Sequence, residues 1–271
     1  MRPGTTVSSA SRRKPPFRLG TTSYIYPAEI LPNVRALHGT VEDIEIVLFE
    51  SDEVSNYPSP EEIQELAAIG REEGLSYTVH LPLDVLLGDP DAHIRQKSLD
   101  TCLRAIDATA GLRPHGYIVH FQGLPSDDHR HWLDESWLAH VDRSVEHLIG
   151  RLDNPRLLCA ETLSYPFHLV ETLIERRDLS ICLDVGHIAL YNQPLELYLD
   201  RYLSRTRIIH LHGNSRGRDH LDLGRLPAAT IDLLFNSLAT LSTVDELVVT
   251  LEIFSEKDLE ISRAVVEKYL P

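Results

Sequence analysis

The feature of this sequence that most constrains its fold is an alternation of short apolar stretches with longer amphipathic ones, repeated eight times over 271 residues. Such alternation predicts a parallel sheet whose strands are joined by crossover helices. Eight strands with eight helices in a chain of this length predict an α/β fold, a (β/α)8 TIM barrel. The predicted strands cover residues 17–23, 43–49, 76–81, 116–121, 156–160, 179–187, 207–211 and 246–251.

Proline and capping residues mark where the helices begin. The clearest start is Ser59, which is followed by Pro60 at the first helical position and by Glu62, which completes a capping box. The first helix is expected after Pro27, with an interruption near Pro32. The remaining helices are expected over residues 92–110, 135–152, 227–241 and 257–269, and after Pro166 and Pro194.

Residues 1–16 contain basic residues but no acid and no apolar run. This composition predicts a flexible N-terminal tail rather than a secretory signal, and residues 17–271 are expected to form a single catalytic barrel domain. The chain contains no run of ~20 apolar residues, so we predict a cytoplasmic protein without a membrane partner. Cys102, Cys159 and Cys182 lie in apolar contexts and are expected to be buried, reduced thiols.

The formal net charge of −15 limits the class of partner. Surfaces that bind nucleic acids are basic, so we expect no nucleic-acid partner. An acidic chain is compatible with divalent cations and with a small-molecule substrate. The sequence makes no prediction about oligomeric state.

Acidic residues and histidines recur where the predicted strands end. The carboxyl ends of barrel strands meet at one face, so these side chains are expected to lie together. Carboxylates and imidazoles together suit zinc, manganese or iron(II), and Glu161 or another carboxylate could bridge two ions. The set comprises Glu50, His80, His120, Glu161, Asp184, His187, His210, His212 and Glu252.

Several of these residues have other interpretations. A single histidine such as His120 is often a hydrogen-bonded core residue, and an acid such as Glu50 often caps a turn. His212 is expected to line the rim or to orient a ligand. The segment around His129 and His131 is interpreted as a solvated loop.

Arginines follow the seventh strand in an otherwise acidic chain. Arg216, Arg218 and Arg225 either clamp a phosphate group or belong to a solvated loop. Near the end of the first strand, Tyr24 and Tyr26 are open between stacking on a substrate and plain packing.

The strand-end motifs resemble the xylose isomerase-like barrel superfamily, which includes endonuclease IV-type phosphodiesterases and many sugar isomerases and epimerases. The resemblance covers about residues 17–270. For the isomerase type it implies one divalent metal ion, held by Glu161, Asp184, His210 and Glu252. The motifs are His80-Leu-Pro82, His120, Glu161, Asp184-Val-Gly-His187, His210-Leu-His212, His220-Leu-Asp-Leu-Gly224 and Glu252.

For the endonuclease type, the resemblance implies three ions. His80 and His120 would join Glu161 at one of them, while His187 and His220 would hold another. The chain departs from this pattern because Arg218 stands where an aspartate is expected, with Asp219 next to it. Either Asp219 substitutes for that ligand, or the site is dinuclear and Arg218 holds phosphate.

Residues 19–34 and 43–51 are also similar to the cobamide-remodelling phosphodiesterases, the CbiR family within this superfamily. That similarity implies hydrolysis in the nucleotide loop of vitamin B12-type cobamides. A cobinamide-type product would be released so that the lower ligand can be replaced.

The leading hypothesis is therefore a metal-dependent phosphodiesterase that uses one to three manganese, zinc or iron(II) ions per chain. Glu161, Glu252 and Arg218 are the predicted catalytic residues. A single-metal sugar isomerase or epimerase is the alternative, and a non-catalytic corrinoid-binding module is disfavoured by the spacing of Asp184 and His187. Substrate contacts are predicted for Tyr24, Glu50, His212 and Arg216, and metal ligation for His80, His120, Glu161, Asp184, His187, His210, His220 and Glu252.

Overall fold

A computed structural model describes residues 15–51, 54–122, 135–241 and 247–270. Eight parallel strands close into a barrel, and each pairs with its neighbours in the order β1-β10-β7-β6-β5-β4-β3-β2, so the predicted TIM barrel is confirmed. The other two strands, β8 and β9, pair only with each other. In chain order the strands are β1 (Arg18–Thr22), β2 (Asp43–Val47), β3 (Ser76–His80), β4 (Tyr117–Val119), β5 (Leu158–Glu161), β6 (Ser180–Asp184), β7 (Thr206–Leu211), β8 (Gly213–Ser215), β9 (Arg218–Leu221) and β10 (Val248–Leu251).

Helices connect the barrel strands, and the clearest predicted start is confirmed. The Ser59 hydroxyl accepts the Glu62 backbone N–H, while the Glu62 carboxylate accepts the Ser59 N–H at 2.8 Å. None of the described helices is long and apolar enough to cross a membrane. The helices are α1 (Ile30–Leu37), α2 (Pro60–Glu73), α3 (Ala92–Thr109), α4 (Glu135–Ile149), α5 (Glu171–Arg176), α6 (Val185–Leu190), α7 (Leu195–Tyr202), α8 (Ala228–Ala239) and α9 (Glu256–Val266).

The expected interruption of the first helix near Pro32 is wrong, because α1 runs through this residue without a break. Pro32 is the third residue of α1. Backbone N–H groups in the first turn have no partner within the helix, so the N–H that proline lacks removes no hydrogen bond there.

The segment after the seventh barrel strand is a hairpin rather than an irregular loop. Arg216 and Gly217 form its turn with φ angles of 53° and 76°, and Ser215 pairs with Arg218 across it. Two consecutive left-handed residues are what a tight two-residue hairpin turn requires. The hairpin β8–β9 therefore projects from the same face of the barrel as the end of β7.

The barrel interior contains a layer of apolar side chains beneath the polar strand ends. Four fully buried residues on adjacent strands form a cluster separate from the main core. Side chains alternate along a strand, so each of them shares a face with the polar residue two positions later. The pairs are Ile118 and His120, Cys159 and Glu161, Cys182 and Asp184, and Ile208 and His210.

All three cysteines are buried and free of disulfide bonds, as predicted. Burial raises the pKa of Cys102 and Cys159 to about 12, so these thiols stay protonated at neutral pH. The predictions for a tail over residues 1–16 and for the histidine-rich segment around residues 129–131 fall almost entirely outside the described residues.

Asp43 lies near the amino-terminal end of the barrel, fully buried on β2. Its carboxylate accepts hydrogen bonds from the Ser76 hydroxyl at 2.5 Å and from the Thr78 hydroxyl at 2.9 Å. Burial outweighs these hydrogen bonds and raises the pKa of Asp43 to about 6. The folded protein therefore binds the Asp43 proton more tightly than the unfolded chain does.

We expect Asp43→Asn to change how stability depends on pH. In the wild-type protein the stabilising contribution of the bound proton is complete below pH ~4 and is lost as the pH rises through about 6. The variant has no such loss. The free energy of unfolding of the variant, relative to that of the wild type, should therefore rise by about 2 to 3 kcal/mol between pH 4 and 7. Urea unfolding at several pH values measures the difference, and a constant difference would contradict this account.

Candidate metal centre

Four residues from adjacent strands meet at the mouth of the barrel. Glu161 ends β5, Asp184 ends β6, His210 lies on β7 and Glu252 follows β10. Their ligand atoms all lie within 4.8 Å of one another, and all four side chains are buried. His210 Nδ1 is 3.1 Å from Glu252 Oε2, 3.3 Å from Glu161 Oε1 and 3.8 Å from Asp184 Oδ2. We call these residues the four-ligand set.

A second group shares Glu161 with the first. His80 Nε2 and His120 Nε2 lie 3.2 and 2.7 Å from Glu161 Oε2, which is the oxygen that faces away from His210. His80 Nδ1 donates to the Leu81 carbonyl oxygen at 2.8 Å, so the neutral ring has its lone pair on Nε2. That tautomer points the free nitrogen of His80 at the shared carboxylate, as a metal ligand requires.

A third group consists of His187, His212 and His220, whose ligand atoms also lie within 4.8 Å of one another. His187 lies in α6, three residues after Asp184, which caps this helix, and His220 lies on β9 of the hairpin. Asp219 Oδ2 is 3.7 Å from Nε2 of both His187 and His220. His220 has a φ angle of 52°, a left-handed conformation that is uncommon for residues other than glycine and often marks a functional site.

His212 is fully buried, and both of its ring nitrogens have partners. The His220 backbone N–H donates to Nδ1 at 3.1 Å, so the proton of the neutral ring lies on Nε2, which is 3.2 Å from Asp184 Oδ1. This arrangement orients Asp184. Gly186 is required beside it, because a Cβ at that position would lie 2.3 Å from the His212 ring.

The imidazoles hold the buried carboxylates in the ionised form. Burial alone would raise the pKa of Glu161, but the charges of His120 and His210 outweigh burial and hold that pKa well below its usual range. Conversely, burial would lower the pKa of His80, yet the hydrogen bond and charge of Glu161 raise it to about 9. Without a metal ion, protonated imidazoles therefore balance the negative charge.

The donor atoms present at this site fit a divalent cation. Glu252 Oε2 lies 3.1 Å from His210 Nδ1, and His187 Nδ1 lies 3.0 Å from Asp184 Oδ2. Neither Glu252 Oε2 nor His187 Nδ1 makes a hydrogen bond of acceptable geometry within the described chain, although both are buried. Nitrogen and oxygen atoms that lie close together without hydrogen bonds are typical of ligands directed at one ion. The mixture of nitrogen and oxygen donors suits manganese, zinc or iron(II).

The other predicted residues lie around the clusters rather than in them. Tyr24 is half-buried and packs edge-on against Phe49, with ring centres 5.0 Å apart. Glu50 pairs with Arg104 of α3 at 3.4 Å. Arg216, in the hairpin turn, and Arg218, directly after the turn, are both exposed.

Glu45, on β2, is a residue in contact with the four-ligand set that the sequence analysis missed. Its side chain is fully buried, and Oε2 accepts a hydrogen bond from His210 Nε2 at 2.8 Å. The sequence does contain a signal for this residue, because Glu45 follows Asp43 by two positions in an apolar strand. That spacing places both side chains on the inner face of the barrel.

Two exposed aromatic side chains lie beside the third group of histidines. The ring centre of Tyr191 lies 6.1 Å from that of His187, and the ring centre of Phe254 lies 5.1 Å from that of His220. We call Tyr191 and Phe254 the apolar rim.

Comparison with known proteins agrees with the barrel fold. Residues 38–268 match the family model of the xylose isomerase-like TIM barrel. Among solved structures, the chain is similar to a D-tagatose 3-epimerase-like protein, with a TM-score of 0.76, 18% identity, and coverage of 94% of this chain and 97% of the other. No curated protein sequence matches the chain.

Two further similar structures represent different activities. Endonuclease IV from Thermus thermophilus matches with a TM-score of 0.67 and 18% identity, over 93% of this chain and 99% of the other. D-psicose 3-epimerase from Clostridium cellulolyticum matches with a TM-score of 0.67 and 16% identity, over 94% and 99%. At these identities the likeness shows the fold alone.

We expect Glu161→Gln to abolish binding at two sites at once, because the two oxygens of Glu161 face different clusters. His120→Asn should remove only the ion beside His80. Metal content per chain, measured by mass spectrometry after dialysis against manganese, separates these outcomes. Glu196→Gln, at an exposed acid of α7, is the control. Wild-type metal content in Glu161→Gln would contradict the shared-carboxylate site.

Proposed function

Because the chain belongs to the xylose isomerase-like TIM barrel family, we propose that it is a metal-dependent phosphodiesterase that acts on the nucleotide loop of cobamides. The family includes enzymes with quite different reactions, so the proposal is argued from the site of this chain. We also propose that the enzyme is cytoplasmic and that its partner is this small molecule rather than a nucleic acid.

The observation that carries the proposal is the double use of Glu161. One of its oxygens faces His210 of the four-ligand set, while the other faces the buried pair His80 and His120. A one-metal isomerase has no need of that pair as ligands. Two ions held a few ångströms apart by a bridging carboxylate suit the in-line displacement at a phosphodiester.

The residues around the ions have distinct tasks in this reaction. Divalent ions at the two clusters would lower the pKa of a bound water and neutralise negative charge on the phosphate oxygens. Glu161 sets the spacing of the two sites, and His212 keeps Asp184 in position. Glu252 Oε2 is buried and accepts no hydrogen bond from the described chain, so it is available to bind an ion of the four-ligand set.

The hairpin brings positive charge to a negatively charged site. Arg216 lies in its turn and Arg218 directly follows it, on the strand that also carries Asp219 and His220. Guanidinium groups there would bind the nonbridging oxygens of a phosphodiester and stabilise the charge that develops in the transition state.

The apolar rim favours a large and partly apolar substrate over a free sugar. Tyr191 and Phe254 are 42% and 43% exposed, and each lies beside an imidazole of the third group. Exposed aromatic rings next to a polar site are typical of ligand-binding surfaces. The cobamide part of the proposal also rests on the similarity of residues 19–34 and 43–51 to cobamide-remodelling enzymes, a stretch that contains Tyr24 and Glu50.

A single-metal sugar epimerase is the second candidate. The four-ligand set is complete without His80 and His120, and two of the similar structures are named as epimerases or epimerase-like. Glu161 and Glu252 would then act as acid and base across a bound ketose.

We expect the purified protein to convert adenosylcobalamin to a cobinamide-type product in separate reactions with manganese, zinc or iron(II). Chromatography and mass spectrometry identify the product, and its phosphate content shows which ester bond is cut. His120→Asn should lower kcat by about 100-fold or more, since it removes a ligand of the second ion. His147→Asn, at an exposed histidine of α4, is the matched control.

The opposite result is equally well defined. If no metal supports cobamide cleavage, while the protein binds one ion per chain and interconverts ketose epimers in a His120→Asn background, the phosphodiesterase proposal is wrong and the epimerase is correct.

We expect Phe254→Ala to raise KM for the cobamide by about tenfold, because a stacking ring is lost from the apolar rim. The effect on a small aryl phosphodiester, which does not reach the rim, should be weaker. Ile261→Ala removes an exposed apolar side chain from α9 and is the control. Equal KM values for the cobamide in Phe254→Ala and the wild type would argue against a role for the rim.

A further inference from the structure

Glu45 differs from the acids of the four-ligand set because it contacts Nε2 of His210, whereas Glu161 and Glu252 face Nδ1 of that ring. The side chain lies on β2 with no exposed surface. One oxygen, Oε2, accepts a hydrogen bond from His210 Nε2 at 2.8 Å, and the other, Oε1, is buried without a hydrogen-bond partner in the described chain. Burying a carboxylate with so few partners is costly, so its contact with His210 is the main compensation visible.

The position of Glu45 on the far side of His210 matters for metal binding. Nδ1 of that ring faces Glu161 and Glu252, so Nδ1 is the nitrogen that would bind an ion. A neutral imidazole has one proton, which must then lie on Nε2 and point at Glu45. The three groups are therefore aligned as carboxylate, imidazole and metal site.

Asp43 shows that a buried acid on this face of β2 need not contact an imidazole. It precedes Glu45 by two residues, and its oxygens accept hydrogen bonds from the hydroxyls of Ser76 and Thr78. Thr78 is also the register partner of Glu45 on β3, yet its hydroxyl bonds to Asp43. The contact between Glu45 and His210 is thus not a by-product of burying acids along the strand.

Charge balance gives a second reason for an acid at this position. Together with Glu161, Asp184 and Glu252, Glu45 brings the buried carboxylates around His210 to four. Four negative charges equal the charge of two divalent ions when the imidazoles are neutral ligands. An apolar residue at position 45 would leave that balance one negative charge short.

We propose that Glu45 is a positioning residue of the metal centre, which fixes the tautomer and the plane of the His210 ring and strengthens its donation to the ion. The inference rests on the proposed function only for the binding of a divalent ion by the four-ligand set. Residues that hydrogen-bond a metal-binding histidine in this way commonly change metal affinity by 10- to 100-fold when they are replaced.

The test compares Glu45→Gln, Glu45→Leu and the matched control Asp43→Asn with the wild-type protein. Cobalt(II) and manganese(II) affinities are measured by competition with a chelator, and the visible absorption of bound cobalt(II) reports the ligand geometry. Glutamine keeps a hydrogen-bond acceptor but loses the charge, so we expect about tenfold weaker binding, against about 100-fold for leucine. Both Glu45 variants should shift the cobalt(II) spectrum, while Asp43→Asn should match the wild-type spectrum and affinity.

A purely structural role for Glu45 predicts a different result. Loss of packing would lower the temperature of thermal unfolding of the metal-free protein without changing the cobalt(II) spectrum of the folded fraction. Metal affinities within twofold of wild type in both Glu45 variants, together with an unchanged cobalt(II) spectrum, would overturn the inference and leave the proposed function intact. If the wild-type protein binds no divalent ion, the inference and the proposed function both fail. If Glu45→Leu does not fold, the isosteric glutamine variant decides.

Discussion

The site depends on how the protein accommodates negative charge inside a closed barrel. Isolated carboxylates are costly to bury, and the cost is offset only by opposite charges and hydrogen bonds in fixed positions. The strands supply those positions, because their side chains are held by neighbouring strands on both sides. Imidazoles lie beside Glu161, Asp184 and Glu252, and the same rings would release their protons to solvent on binding a metal ion. The buried acids grouped around His210 are Glu45, Glu161, Asp184 and Glu252.

The parts of this arrangement that were predictable from sequence follow from strand geometry. Each of Glu161, Asp184 and His210 lies at or near the end of an apolar stretch, and the carboxyl ends of parallel strands meet at one face. The sequence pattern therefore indicated both the barrel and the group of strand-end residues. The resemblance to endonuclease IV-type enzymes implied that His80 and His120 would join Glu161, although it did not show that they face a separate oxygen of that carboxylate.

Other parts of the structure were not predictable from sequence. They depend on contacts between residues distant in the chain, or on residues that depart from the usual preferences for turns and helix starts. Glu45 contacts a residue 165 positions away, so nothing near it in the chain reveals its role. The hairpin was hidden because its turn uses Arg216, whereas asparagine or glycine is typical of that left-handed position. Pro32 was expected to interrupt a helix because the start of α1 was not recognised. No capping side chain marks that start, so the sequence did not show that Pro32 lies in the first turn.

The site has two parts with different origins in the chain. The residues of the four-ligand set come from or directly follow barrel strands, and substitutions there disturb the core. The hairpin β8–β9 and its flanking residues instead form a short excursion that contributes His220, Asp219 and the two turn arginines. Its turn can change in length and composition at little cost to folding. A change in this strand pair would therefore alter the third histidine group and the surface above the site, while the four-ligand set beneath it keeps its place in the barrel.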